Sequence, residues 1–111
     1  MNFETIQTRN TAIVKTLVEK LDASNASDLK SELLVLNRNG VNTMILDFSA
    51  TKYCDSSGLS AILAANRLCK ESSGKFVICG LNSTVQKLIE IAQLDKVFTI
   101  APNLEEAKKL I

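Results

Sequence analysis

The segment Asp55-Ser56-Ser57-Gly58 carries the most chemically informative residues of this 111-residue chain. It lies between a predicted hydrophobic strand and a predicted helix, and sites in parallel sheets gather where strands end in this way. The first amides of a helix lack intrahelical partners and carry partial positive charge. A phosphoryl group on Ser56 or Ser57 would be favoured there, and it would change the surface by about −1.5 to −2 charges.

The same four residues are also an ordinary start for a helix. An aspartate or serine in this position can cap the first amides without having any further role. Asp55 would make the local field more negative, and Gly58 would leave the first turn open to the backbone of a partner. From these residues alone, a structural and a functional interpretation both stay open.

The composition argues against several kinds of function. The chain has no histidine, which excludes a Ser-His-Asp triad, a Cys-His pair and most zinc sites. Its 13 basic and 12 acidic residues, with no tryptophan and one tyrosine, give no indication of a nucleic-acid-binding surface. We therefore expect no enzymatic activity, no cofactor, no bound metal and no nucleic-acid partner.

The three cysteines, Cys54, Cys69 and Cys79, are widely spaced among apolar or small residues. An odd number without a Cys-x-x-Cys pair is not a disulfide framework, so we expect buried, reduced thiols of a cytosolic protein. The N-terminal residues are too polar for a signal peptide. No apolar run approaches the ~20 residues that cross a bilayer. The sequence thus predicts a soluble cytoplasmic protein that does not insert into membranes.

The predicted elements follow the order β-β-α-β-α-β-α-β-α, in one domain that spans residues 1–111. The strands are predicted at 3–8, 12–18, 43–48, 75–79 and 97–100, and the helices at 22–39, 56–71, 83–92 and 103–110. Ser24 or Asn25 is the predicted cap of the first helix, and Ser83 with Gln86 forms a predicted capping box. We expect an α/β fold, with a mixed, mostly parallel five-stranded sheet that opens with a β-hairpin and is covered by about four helices.

The predicted helix after Gly58 is apolar around most of its circumference. The residues expected to face the sheet are Leu59, Ile62, Leu63, Asn66 and Cys69. The remaining small-residue surface would consist of Ala61, Ala64, Ala65 and Leu68. Either another chain docks on that surface or neighbouring helices cover it.

The stretch from Ile45 to Leu63, with Leu-Asp-Phe, Cys-Asp-Ser-Ser-Gly-Leu and Ala-Ile-Leu, resembles the STAS domain. It is most similar to the single-domain bacterial form, the anti-sigma factor antagonists. The resemblance extends over nearly the whole chain and includes Leu21-Asp22, Gly74-Lys75-Phe76 and Val85-Gln86-Lys87-Leu88. This sequence departs from the family pattern at Glu19, which replaces a glycine, and at Ala92-Gln93-Leu94, where family members often have glycine.

The resemblance implies that Ser56 is phosphorylated by a partner that is both an anti-sigma factor and a serine kinase. The unphosphorylated form would bind that partner and free the sigma factor, and a PP2C-type phosphatase would restore it. The chain would be a phosphorylation-controlled binding switch, monomeric when free, with Asp22 beside Ser56. The residues implied in partner binding are Asp22, Asp55, Ser57, Gly58 and Leu59.

Two other functions stay open at this point. STAS-like domains also serve as interaction subunits of membrane transport assemblies or other regulatory complexes without serine phosphorylation, which an apolar helix surface would suit. Alternatively, Asp22, Asp47 and Asp55 would form an acidic metal-binding cluster in a small enzyme or nucleotide-binding protein. That alternative leaves the serine motif unexplained.

Overall fold

Strands and helices alternate along the chain in the predicted order. The structure, a computed structural model, describes residues 2–111. The strands are β1 (Phe3–Thr8), β2 (Thr11–Thr16), β3 (Lys20–Leu21), β4 (Thr43–Asp47), β5 (Tyr53–Cys54), β6 (Phe76–Cys79) and β7 (Thr99–Ala101). The helices are α1 (Ala26–Arg38), α2 (Ser56–Glu71), α3 (Ser83–Ile91) and α4 (Leu104–Lys108). The expected α/β fold, with a five-stranded sheet and four helices, is confirmed, whereas β3 and β5 were not predicted.

The main sheet has the strand order β1-β2-β4-β6-β7. β1 and β2 form the predicted antiparallel hairpin, with Arg9 in its turn at a φ of 54°. All other neighbouring strands are parallel. Every residue of β4 and β6 is buried, as expected for central strands that helices cover on both faces.

Alternate side chains of the central strands enter two separate cores. Met44 and Leu46 belong to the larger core, to which α1, α2 and α3 contribute. Ile45 points to the opposite face and packs with Ala107 of α4 in the smaller core. This alternation follows from the two-residue period of a strand. Because β4 and β6 run parallel, the chain leaves both strands at the same end of the sheet, and α2 and α3 begin there.

The first helix begins later than predicted, and the third helix has a different cap residue from the predicted one. α1 begins at Ala26, because the residues from Asp22 to Asn25 form a turn in which the Ala26 amide donates to the Asp22 carbonyl at 2.8 Å. The Asn25 side chain makes no cap and instead donates to the Lys20 carbonyl at 2.9 Å. α3 is capped by Asn82, whose Oδ1 accepts from the Val85 amide at 2.9 Å, so the predicted capping box lies one residue too late.

The prediction of buried, reduced cysteines is confirmed. Cys54, Cys69 and Cys79 are all free and buried. Burial raises the pKa of the Cys54 thiol to about 12 and those of Cys69 and Cys79 to about 11. These thiols therefore stay protonated near neutral pH. Within residues 2–111, no helix has the length and apolar character that crossing a membrane requires.

The apolar circumference of α2 is explained mainly by α1. Ala61 and Ala65 are buried, because α1 packs alongside α2. Of the two alternatives left open for this surface, coverage by a neighbouring helix therefore holds for Ala61 and Ala65. Ala64 and Leu68 stay half-buried in a groove of about 190 Å³ between the two helices. Leu59 and Leu63, which were expected to face the sheet, are only half-buried as well.

Candidate functional site

A short pair of strands brings the two predicted parts of the site together. β3 and β5 pair in parallel, with Leu21 opposite Cys54, and form a sheet of their own. The amide of Asp55 then donates to the Leu21 carbonyl at 3.2 Å. Since Asp22 follows Leu21 and Ser56 follows Asp55, the turn before α1 and the start of α2 are adjoining segments.

Gly58 is the residue that allows this close approach. A Cβ atom at position 58 would lie 2.4 Å from the Cys54 Sγ and 2.6 Å from the Leu21 carbonyl oxygen. Both distances are too short for real contacts, so only glycine lets the first turn of α2 rest on the β3–β5 pair. The predicted opening toward the backbone of a partner is therefore wrong, because this chain's own strands fill it.

The start of α2 leaves the Ser56 hydroxyl outside the capping arrangement. Asp55 is the N-cap residue in an extended conformation, and its Oδ1 accepts from the Gly58 amide at 3.1 Å. Ser56 is the first helical residue and is exposed, while Ser57 is half-buried. Because the aspartate takes the capping role, a change at the Ser56 oxygen would not remove the cap.

Three serines of α2 line an open cavity of about 360 Å³ between α1 and α2. The lining residues are Ala23, Ala26, Ser27, Lys30, Ser56, Ser57 and Ser60. The Nζ of Lys30 donates to the Oγ of Ser60 at 3.1 Å. The cavity is rich in hydroxyl groups, and Lys30 is the charged residue that lines it. Sequence reasoning missed this lysine, because only the packing of α1 on α2 places it here.

The three aspartates of the proposed acidic cluster each accept hydrogen bonds from residues of their own local segment. Asp22 accepts hydrogen bonds from the Ser24 hydroxyl at 2.6 Å and from the Ser24 amide at 3.0 Å, and these bonds lower the pKa of Asp22. Asp47 accepts from the amide and hydroxyl of Ser49, and Asp55 caps α2. In the described chain, no three His, Cys, Asp or Glu side chains converge on a point where they would hold a metal ion. The metal-cluster alternative is therefore wrong.

The predicted partner-binding residues differ in accessibility. Asp22, Asp55, Ser57 and Leu59 are half-buried and Gly58 is buried, whereas Ser56 is exposed. Leu59 also packs against the larger core. The structure thus gathers these residues around one helix start. It gives Gly58 an internal packing role and leaves the other side chains accessible to different degrees.

Residues 2–107 match the STAS domain family. The chain therefore belongs to this family. BtrV of Bordetella bronchiseptica, a protein named as a candidate anti-sigma factor antagonist, is 26% identical over 95 residues. That match covers 86% of this chain and 82% of the relative.

Solved structures share the same fold. An anti-sigma factor antagonist from Mycobacterium paratuberculosis superposes with a TM-score of 0.86 at 19% identity, over 98% of this chain and 92% of the other. The Bacillus cell fate determinant SpoIIAA, in its phosphorylated form, superposes with a TM-score of 0.76 at 21% identity. This second match covers 98% of this chain and 99% of SpoIIAA.

Proposed function

We propose that this protein is an anti-sigma factor antagonist, which binds an anti-sigma factor and thereby frees a sigma factor. Membership of the STAS family supports this function, as does the likeness to BtrV, which is named for such an activity. The partner would dock on the face around the start of α2. That face is defined by Ser56 with Asp22, Asp55, Ser57 and Leu59.

Phosphorylation of Ser56 would control this binding. The observation that carries the proposal is that the exposed Ser56, on a helix capped by Asp55, lies where the β3–β5 pair brings the start of α2 against the turn of Asp22. The Ser56 oxygen would attack the γ-phosphorus of ATP held by the anti-sigma factor, which acts as a serine kinase. The bond to ADP breaks, and the hydroxyl proton passes to a base of the kinase. A PP2C-type phosphatase would reverse the change by hydrolysis.

The added charge would be concentrated at one place on the protein. The chain has a formal net charge of +1, and a phosphate contributes about −1.5 to −2 charges at pH 7. Because Asp55 lies next to Ser56, the docking face would become strongly negative. A partner that fits the neutral hydroxyl would meet repulsion and a bulkier side chain. The unphosphorylated form would then be the one that binds.

The test is to incubate the chain with ATP and the kinase-type anti-sigma factor of the same organism. We expect the intact mass to increase by one phosphoryl group, and Ser56→Ala to abolish the increase. Ser83→Ala is the matched control, since it removes the exposed hydroxyl at the corresponding position of α3, outside the docking face, and should be phosphorylated normally. No transfer to the unaltered chain, or transfer that persists in Ser56→Ala, would contradict the proposal. Equal binding of both forms would favour an interaction subunit that phosphorylation does not control.

A further inference from the structure

Lys30 is a cation beside the proposed phosphorylation site. It is exposed on α1, and it lines the same cavity as Ser56. Lys30 takes part in neither of the ion pairs found within residues 2–111. These pairs join Lys15 to Glu4 and Lys109 to Glu106. Its ammonium group instead donates to the uncharged Ser60 hydroxyl at 3.1 Å. The cavity thus contains a positive charge that a neutral group holds in position.

The position of Ser60 brings this charge close to Ser56. The two serines are four residues apart on α2, so they are neighbours on one face with Cβ atoms about 5–6 Å apart. The lysine side chain is long and flexible, so a change of rotamer moves its ammonium group from Ser60 toward Ser56 within the cavity that all three residues line. A phosphate offers three strong acceptor oxygens, and hydrogen bonds between charged groups are stronger than those to a neutral hydroxyl.

We propose that Lys30 is the counter-ion of phosphorylated Ser56. When the phosphoryl group is added, the Lys30 ammonium leaves the Ser60 oxygen and bonds to the phosphate oxygens. This contact bridges α1 and α2 across the cavity. It deepens the proposed function, on which it rests, because the partner would then meet a closed, ordered bridge in place of an open pocket. Lys30 is thus a positioning residue for the phosphate.

The experiment measures the second ionisation of the phosphate directly. Phosphoserine is incorporated genetically at position 56, and its pKa is followed by phosphorus NMR as the pH is varied. We expect the pKa with Lys30 present to be lower by about half a unit than in Lys30→Met, because a nearby cation favours the dianion. Lys30→Arg should keep most of this difference, since it preserves the charge.

The design includes a matched control for the loss of one positive charge. Lys70→Met removes an exposed lysine in the last turn of α2, about 21 Å along the helix from Ser56. The other charged groups nearby, Asp22 and Asp55 beside the phosphate and Arg67 in the adjoining groove, are present in every variant. Lys70→Met should therefore leave the phosphate pKa within about 0.1 unit of the unaltered chain.

Two outcomes would overturn the inference. One is an equal phosphate pKa in the unaltered chain and Lys30→Met, and the other is an equal rise in Lys30→Met and Lys70→Met. Ser60→Ala provides an independent variant, since it frees the lysine from its resting partner and should preserve the low pKa. Because the phosphoserine is encoded and not made by a kinase, this measurement is independent of the kinase test. Failure of phosphoryl transfer would therefore contradict the proposed function alone.

Discussion

The starts of α2 and α3 are nearly the same in local structure but differ in what surrounds them. Both have an extended cap residue, Asp55 or Asn82, whose side chain accepts from the amide three residues later. In both, the next residue is an exposed serine, Ser56 or Ser83. An exposed hydroxyl on a capped helix is therefore not in itself a sign of function.

The differences between the two starts lie in their neighbours. α2 begins against the β3–β5 pair, and glycine at its third position permits contact with Leu21 and Cys54. It also has a carboxylate as cap and a lysine across the cavity. The third position of α3 is the buried Val85, an ordinary core contact, and its cap is a neutral amide. The start of α3 thus serves as an internal control for the proposed site.

The largest expected effect is on the packing that distinguishes α2. Gly58→Ala should lower the free energy of unfolding by about 3 kcal/mol, because the new Cβ overlaps Cys54 and Leu21. Urea denaturation would measure the loss. Gly40→Ala is the control, since its site has a φ of 98° but open space, so only backbone strain of about 1–2 kcal/mol applies. Equal losses in the two variants would refute the special packing of Gly58.

The second prediction separates the two exposed serines by their effect on binding. Ser56→Asp should weaken binding of the anti-sigma factor at least about tenfold, or 1.4 kcal/mol, because it places a second carboxylate beside Asp55. Ser83→Asp makes the same chemical change at the start of α3 and should alter binding less than about twofold. Calorimetric titration measures both. A matching loss in Ser83→Asp would mean that net charge, and not location, controls binding.

The third prediction concerns what the two starts share. Asp55→Ala and Asn82→Ala should each cost about 1 kcal/mol of stability, since each removes the cap of one helix. Asp55→Asn keeps an acceptor oxygen and should recover most of that loss in thermal denaturation. If Asp55→Asn were as unstable as Asp55→Ala, the carboxylate charge would matter more to α2 than its hydrogen bond.

The sequence predicted the elements of this site better than their arrangement. The start of α2 at Ser56 follows from the polar segment before a long apolar pattern. The β3–β5 pair was missed, because two residues are too few to show a strand period. The cap of α3 was placed one residue late, since Asn82 and Ser83 are both good cap residues. Lys30 was missed because its proximity to Ser56 depends on how α1 packs on α2.

The smallest expected effect is on the turn that begins at Asp22, beside the start of α2. Ser24→Ala should raise the pKa of Asp22 toward its ordinary value, because the Ser24 hydroxyl bond is the largest cause of the lowered pKa. The backbone amide of Ser24 still donates to the same oxygen at 3.0 Å, so the rise should be partial. A carboxyl whose pKa is lowered in the folded state contributes stability above its unfolded pKa, and this is lost as the pH falls through the folded value.

The free energy of unfolding of Ser24→Ala should therefore change with pH differently from that of the unaltered chain only in acid, below the ordinary Asp22 pKa of 3.8. NMR titration of the Asp22 carboxyl carbon tests this, with Ser27→Ala, an exposed serine within α1, as the control. An unchanged Asp22 pKa in Ser24→Ala would show that the backbone amide alone organises the turn. The turn beside Ser56 would then be held in place by β3 and the amide, independent of the Ser24 side chain.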